Sequence, residues 1–441
     1  MQIFSSYKVK IKHYNKIFEE TVGLYRGAVS FFIEVCEKEW VNLEPINNLY
    51  RKSYVEKITL PTKAHPEVKY NFNDRFYKMP TGLRRAAITE AIGCYSSYIS
   101  KYRDWEKNKK GKEPKLRLER NVMPTFYKGS MFIKTDSNKS RIKIFHRNDW
   151  VWLDIELNNQ DVKYIERYCK MKKEHVPTLK KEGKSWYLVF PYEDNVKLSK
   201  VDIQDQLICA VDLGINNNAT CVIMQPNGTV IDRKFIDLAI EKDHLGKAIN
   251  RVKKAQQNGA RKTPTKWKHV NDINKDISRK TAKGIIDFAI LYNVDVIVFE
   301  YLDTQGKKKG KNKQKLHLWR KKEIQRIVEQ KAHINGIRIS RVCAWGTSKL
   351  AYDGTGRVAR GKEAGFATCE LCRFHTGKIY NCDLNASYNI GARYYIRELL
   401  KSESVMRRLP NQTKDSDYGT GTTRTLSTLI RLNADICSLT A

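Results

Sequence analysis

The chain has 441 residues, with 82 Lys and Arg against 48 Asp and Glu, for a formal charge of +34. Apolar residues at 41% and aromatics at 10% supply real cores, which excludes a disordered or collagen-like chain. A surplus this large needs a polyanionic partner, nucleic acid first and an anionic membrane surface second, because self-repulsion otherwise strains the compact state.

The length suggests about three domains. No window offers the roughly 18 uncharged apolar residues of a membrane span. The nearest, 285–302, is broken by Asp287, Asp295 and Glu300. The N-terminal Tyr7-Lys8-Val9-Lys10-Ile11-Lys12 alternates like a strand and lacks the apolar stretch and cleavage site of a signal peptide. Ten scattered cysteines suit a reducing cytosol. The expectation is a cytoplasmic protein that is neither secreted nor membrane-bound.

After the first strand, residues 14–40 carry Ile17, Phe18, Val22, Leu24 and Val29 at helical spacing. A second helix opens at Pro80-Thr81, where a proline and a capping residue stand together, and runs through Leu83-Arg84-Arg85 to about Trp105. Tyr95, Tyr98 and Tyr102 share one of its faces, as a core stripe or as a platform for exposed bases. Residues 101–120 hold nine Lys or Arg against four acids. That is a solvated linker or, since Arg117-Leu118 and Phe126-Tyr127-Lys128 interleave apolar and basic residues, a strand along a phosphate backbone.

From 140 to 157 the pattern alternates through Ile142, Ile144, Val151, Leu153 and Ile155, and Trp186 to Phe190 adds another strand. These predict an all-β module that includes the N-terminal strand, with residues 13–110 as a helical insertion. From Leu207 the character changes. Ile208-Cys209-Ala210-Val211 is a short buried strand ending at Asp212-Leu213-Gly214 and the polar turn Asn216-Asn217-Asn218. A second strand, a basic helical region over 241–283, the strand Val294–Phe299 ending at Glu300, and a helix over 319–333 follow. Strands alternating with helices predict an α/β domain. After about Lys401 periodicity fades in a Ser-, Thr- and Asn-rich stretch, and a flexible tail over 401–441 is expected.

Three acids stand in unusual places. Asp212 and Glu300 each end a nearly all-apolar strand, and Asp383 precedes the apolar helix of Tyr388, Ile390 and Ala392. A lone acid there is usually a cap or turn former. Three acids at the ends of neighbouring buried strands converge, and converged carboxylates repel unless protonated or bridged by cations. Two Mg²⁺ ions, with Mn²⁺ as the substitute, suit such hard oxygen donors and the hydrolysis of a phosphodiester. An RNase H-like fold presents acids this way. An actin-like ATPase also carries Asp-x-Gly after a strand, but no second glycine-rich phosphate loop is present.

These residues resemble TnpB, the transposon-encoded RNA-guided nuclease family, and the related miniature type V CRISPR effectors. Val211-Asp212-Leu213-Gly214-Ile215-Asn216-Asn217 looks like the family's first RuvC motif, Val298-Phe299-Glu300-Tyr301-Leu302 like the second, and Asp383-Leu384-Asn385-Ala386-Ser387-Tyr388-Asn389-Ile390 like the third. Thr347-Ser348 falls between the second and third. The similarity covers about 205–400 and is looser over 1–200.

The resemblance implies a multidomain α+β protein. Its parts would be a β-barrel-like wedge domain at 1–12 and 111–204, with a helical recognition lobe inserted at 13–110. An RNase H-like (RuvC) α/β nuclease domain would cover 205–342 and 381–400, with a small cysteine-containing insertion at 343–380. It implies guide RNA and double-stranded DNA as partners, no membrane, and a prokaryotic cytoplasm, with monomer or homodimer left open. Asp212, Glu300 and Asp383 would bind the metal, and Asn385 would orient Asp383. Arg84, Arg85, Lys115, Arg117, Tyr127, Lys128, Lys266, Lys268, Lys275, Arg279, Arg320 and Lys321, with the basic helix around Arg251 to Lys280 and the Lys307–Lys322 stretch that opens with the Lys307–Lys315 run, would follow nucleic-acid backbones.

One departure concerns zinc. Where the family has its first cysteine pair, this chain has Ala351 and Gly354; Cys369-Glu370-Leu371-Cys372 keeps the second pair. Two buried thiols, or a zinc site completed by Cys343, His375 or Cys382, both remain open. The function expected is an RNA-guided DNA endonuclease, with a nuclease-inactive RNA-guided repressor or a DDE-type transposase as alternatives.

Overall fold

The protein is described from a computed structural model, which covers residues 1–13, 16–63, 65–109, 111–116, 122–215, 217–302, 318–402 and 415–438. Arg117, Asn216 and the Lys307–Lys315 run lie outside them. The chain divides into two compact units, Gln2–Asp194 and Asn195–Ala441, the second also including Met1.

In the first unit, helix α1 (Glu19–Leu43) starts with Glu19 and Glu20, whose charge suits a helix N-terminus. Its buried stripe, Val22, Tyr25, Val29, Phe32, Cys36, Trp40 and Leu43, recurs every three or four residues and packs on α3 (Thr81–Asn108). Between them in sequence, α2 (Asn48–Thr59) is capped by Asn47, whose side chain accepts from Leu49 N. The tyrosine stripe of α3 extends a row of ring contacts, Trp40–Tyr95 at 5.0 Å, Tyr95–Tyr98 at 5.8 Å, Tyr98–Tyr102 at 6.0 Å and Tyr102–Trp105 at 5.7 Å. Tyr95 is core, while Tyr98 and Tyr102 are half-buried.

Two sheets complete this unit. Strand β1 (Gln2–Lys10) pairs with β7 (Ser185–Asn195), which also pairs with β5 (Lys173–Glu174) and β6 (Thr178–Glu182). The N-terminal strand therefore joins the later β segment, as its alternation predicted. The second sheet orders β2 (Phe132–Lys134), β3 (Lys139–His146) and β4 (Asp149–Glu156). Its β3–β4 turn holds Arg147 and Asn148 at φ 50° and 62°, the left-handed pair that matches the twist of a tight hairpin.

The second unit centres on a five-stranded sheet ordered β10-β9-β8-β11-β12. Strands β8 (Ile208–Asp212), β9 (Ala219–Met224) and β10 (Val230–Ile236) form an antiparallel meander. Strands β11 (Val296–Tyr301) and β12 (Arg338–Cys343) run parallel to β8. Both faces are covered, so β8 and β11 read as continuous apolar runs. One face carries Cys209, Val211, Ile223, Ile297 and Phe299 against α6 (Pro264–Leu291) and α7 (Lys321–Ile334). The other carries Ile208, Ala210, Val222, Met224 and Val298 against α8 (Cys382–Leu399). A Cβ at Gly391 would lie 2.8 Å from Met224 Sδ, so the glycine is what lets α8 come so close to the sheet. Helix α5 (Ala239–Gln257) pairs with α6.

The C-terminal expectation is corrected. Leu426–Ser438 is a helix, α9, whose Leu426, Leu429, Leu432 and Ile436 are buried in the core beside α8. The stripe has helical spacing, but it is short and follows Gly419-Thr420-Gly421-Thr422-Thr423, which reads as loop. No helix among the described residues is long and apolar enough to cross a membrane.

Candidate active site

The sheet brings two acids side by side by register alone. Parallel pairing sets Phe299 opposite Val211, so Asp212 and Glu300, one residue further on each strand, leave the same end of the sheet. Asp383 comes from the first turn of α8, where the Asn381 side chain accepts from Asp383 N and Leu384 N at 3.0 Å each. An acid in that turn is favoured by the helix dipole.

Their electrostatics report the convergence. Burial pushes the Asp212 carboxyl far up, and the charges of Glu300 and Asp383 push it further. The Arg360 guanidinium opposes this. Burial also raises Glu300, against the Thr347 hydroxyl and the charges of Arg393 and Lys321. The donor chemistry fits a divalent cation, since like charge crowded on hard oxygens is what such an ion relieves. Both partner acids are nevertheless engaged. Thr347 Oγ1 donates to Glu300 Oε1, and Asn217 Nδ2 donates to Asp383 Oδ2 at 2.9 Å. Among the described residues, no three His, Cys, Asp or Glu side chains stand close enough together to hold a metal ion as placed.

A polar stripe on α8 builds the loop that carries Thr347. Asn385, Asn389 and Arg393 follow at intervals of four, each at most 2% exposed, and all three bond the backbone of 343–352. Asn385 donates to Leu350 O at 2.9 Å and accepts from Tyr352 N at 2.8 Å. Asn389 donates to Thr347 O and Leu350 O at 2.9 Å each. Arg393 donates to Cys343 O and Trp345 O, and also to Thr422 O and Arg424 O of the C-terminal segment. Burial of the Asn385 amide and the Arg393 guanidinium is compensated in this way, while Asn389 bonds through Nδ2 and its Oδ1 has no hydrogen-bond partner among the described residues.

Asn385 therefore does not hold Asp383, as expected from sequence; Asn217 does. Asn385 sits one helical step further on and faces the 350–352 loop. Thr347, Asn217, Arg360 and Arg393 were not predicted as site residues. The four-residue spacing of Asn385, Asn389 and Arg393 was the available signal, since polar residues repeating on an otherwise apolar helix imply buried partners.

The four cysteines named from the sequence are not one set. Cys343 and Cys369 are exposed, and Cys372 and Cys382 are buried. The Cys372 thiol donates to Tyr380 O at 3.4 Å, and its neighbour Cys382 raises it further while being lowered itself by Cys372 and Arg360. Ala351 packs with Val358, Cys372, Phe374 and Cys382, and Tyr352 contacts Phe374, Tyr380 and Tyr388 at 5.5, 5.2 and 5.2 Å. Apolar and aromatic packing occupies the positions where the family places ligands. It supports a small sheet of Ala359–Arg360, Leu371–Arg373 and Ile379–Asn381.

The predicted nucleic-acid contacts divide. Lys115, Lys266, Lys268, Lys275 and Arg279 are exposed, the last four on α6. Lys128 is exposed but pairs with Glu174 at 3.1 Å, and Arg85 Nε donates to Glu56 at 2.8 Å. Arg84 is half-buried, with burial lowering its pKa. Tyr127 packs at Gly82, and Arg320 donates to Asn271 at 2.9 Å. Lys321 is corrected. It is 6% exposed, lies over the Trp319 ring at 5.2 Å and directs its charge at Glu300, because it shares the buried face of α7 with Ile324, Gln325, Val328 and Ala332.

Comparison with known proteins agrees with the motifs. TnpB-like protein aq_aa05 of Aquifex aeolicus (strain VF5) is 28% identical over 236 residues, 47% of this chain and 74% of that protein. The chain is similar to this TnpB-like protein. The profile of the Aq_aa04 family matches residues 5–146. The uncharacterized protein aq_aa04 of the same organism is 27% identical over 99 residues, 20% of this chain and 55% of that one. Among solved structures, Cas12f1 in its complex with sgRNA and target DNA aligns with a TM-score of 0.54 at 17% identity. The alignment covers 85% of this chain and 81% of Cas12f1. That is a likeness of fold.

Proposed function

We propose that the chain is an RNA-guided DNA endonuclease that hydrolyses phosphodiesters at Asp212, Glu300 and Asp383. The observation that carries this is that Asp212 and Glu300 leave one sheet end in register, with Asp212 raised by the charges of Glu300 and Asp383. Mg²⁺, or Mn²⁺, held by the three would activate water and stabilise the leaving oxygen. The chain's own residues prepare that site. Thr347 and Asn217 fix the rotamers of Glu300 and Asp383, and Arg393 locks the loop behind Thr347. Arg360 places a cation beside Asp212, where it would face a substrate phosphate.

In this reading the β segments at 1–12 and 111–204, together with 205–342, hold the guide, the helices of 13–110 check a short motif beside the target, and the exposed cations of α6 follow a backbone. A second reading, RNA-guided binding without cutting, is favoured by the spacing of the site, since among the described residues no three His, Cys, Asp or Glu side chains stand close enough to hold a metal ion as placed.

The test is Asp383→Ala in the complex with the RNA that co-purifies. Cleavage of guided DNA should be lost while guide binding stays within about twofold of the unaltered protein. Persistent cleavage would overturn the metal assignment. An unaltered protein that binds guided DNA but never cuts it, in Mg²⁺ or Mn²⁺, selects the second reading.

A further inference from the structure

Beside Asp212 and Glu300 lies a pocket of about 330 Å³, within the range of roughly 300–1,000 Å³ that small ligands occupy. One wall is Gly214 and Ile215, two and three residues beyond Asp212 and so within about 7–11 Å of it along the chain. Another wall includes Ile324, next to Gln325, whose Nε2 donates to Glu300 O at 3.0 Å. The pocket thus abuts strand ends that carry two of the acids. Leu245 and Ile277 line it from the α5–α6 pair, and Trp319 adds an aromatic surface.

Its polar groups are few. Asn218 Oδ1 accepts from Leu238 N at 3.3 Å, and Asn274 Nδ2 donates to Leu318 O at 2.7 Å. Each asparagine thereby keeps its other amide atom unused among the described residues, leaving one donor and one acceptor at the wall. Lys242, paired with Asp237, and Arg320, bonded to Asn271, add two cations to the lining against the single acid Asp243. Flat apolar walls, an aromatic ring, an amide donor–acceptor pair and nearby cations match one ligand class, a nucleobase on its phosphate backbone.

We propose that this pocket receives the base of the nucleotide next to the scissile phosphate. The proposal rests on the nuclease reading and adds a subsite to it. A strand laid across the acids places its neighbouring base within reach of Gly214 and Ile215. Drawing that base out of the stack holds the phosphate still at the carboxylates and makes cutting sensitive to the flanking nucleotide.

Gly246 supplies a variant that keeps the fold. It lines the pocket within α5, and a Cβ built there meets no atom within 4 Å. Leucine also has better helix propensity than glycine. Gly246→Leu should fill the pocket and slow cleavage of guided DNA about tenfold, the scale of losing one stacked base, with guided binding unchanged. In the unaltered protein an abasic nucleotide one step from the cut should slow cleavage by a similar factor, and in Gly246→Leu it should add nothing, because both remove the same contact. The proposal is overturned if Gly246→Leu cuts as fast as the unaltered protein. It is equally overturned if abasic nucleotides at every position within two steps of the cut are without effect. An unaltered protein that cuts no guided DNA overturns the nuclease reading and this subsite together, a different result from a cutting protein indifferent to Gly246.

Discussion

Glu300 reaches the site at the end of a strand, and its carboxylate would be free to rotate without Thr347. The threonine is 2% exposed, and its hydroxyl is fixed from behind by Asn389 on the backbone of the same residue. Thr347→Val keeps the shape and removes the donor. It should lower cleavage about tenfold, the order of one hydrogen bond to a charged group, while guide binding is retained; Thr347→Ser should restore most of the rate. Equal rates for the valine variant and the unaltered protein in single-turnover cleavage would show that Glu300 needs no such support. At this scale the acids were legible because a charge at the end of an apolar strand is conspicuous. Their partners were not, since Thr347 and Asn217 act through contacts 47 and 166 residues away in sequence. Asn385, though legible as a polar residue in an apolar helix, was given the wrong partner because adjacency to Asp383 in sequence says nothing about helix face.

Helix α8 organises the second unit. Its apolar side closes on the sheet at Gly391, its first turn offers Asp383, and its polar stripe binds the Thr347 loop. Through Arg393 it also gathers Thr422 and Arg424, so the C-terminal segment belongs to the site's scaffold. Helix α9 covers what would otherwise be open core. Leu429 is fully buried there and touches the Pro226–Gly228 turn, where a Cβ on Gly228 would lie 3.7 Å from it. Leu429→Ala should cost about 2–5 kcal/mol by urea unfolding. Ile430→Ala, at a position 53% exposed, should change stability by less than about 0.5 kcal/mol. Equal costs at the two positions would mean that α9 is not packed. The helix was missed from sequence because its 13 residues offer only four stripe positions behind a Gly- and Thr-rich run, whereas α1 and α3 repeat their stripes over 25 and 28 residues.

Across the whole molecule the charge of +34 is not spent within the fold. The ion pairs of the first unit, such as Lys8–Glu182 at 2.6 Å and Lys134–Glu174 at 2.7 Å, consume its acids, and Lys266, Lys268, Lys275 and Arg279 remain exposed on α6. A guide RNA neutralising six or more phosphates should bind about 10³-fold more weakly at 200 mM than at 50 mM salt. A flat salt response in a filter-binding titration would remove nucleic acid as the partner of this charge.

The sequence by itself determined the need for a polyanion, the strand endings that expose Asp212 and Glu300, and the motif order shared with TnpB-like proteins. Each of these is local, resting on composition, on period-two and apolar runs, or on short spacings. Only the tertiary structure decided that Asn217 and Thr347 hold the acids, that Lys321 turns inward, that Cys372 pairs with Cys382 in an apolar cluster, and that the C-terminal segment joins the core. Those outcomes depend on which faces meet, and long-range packing chooses faces that no local pattern encodes.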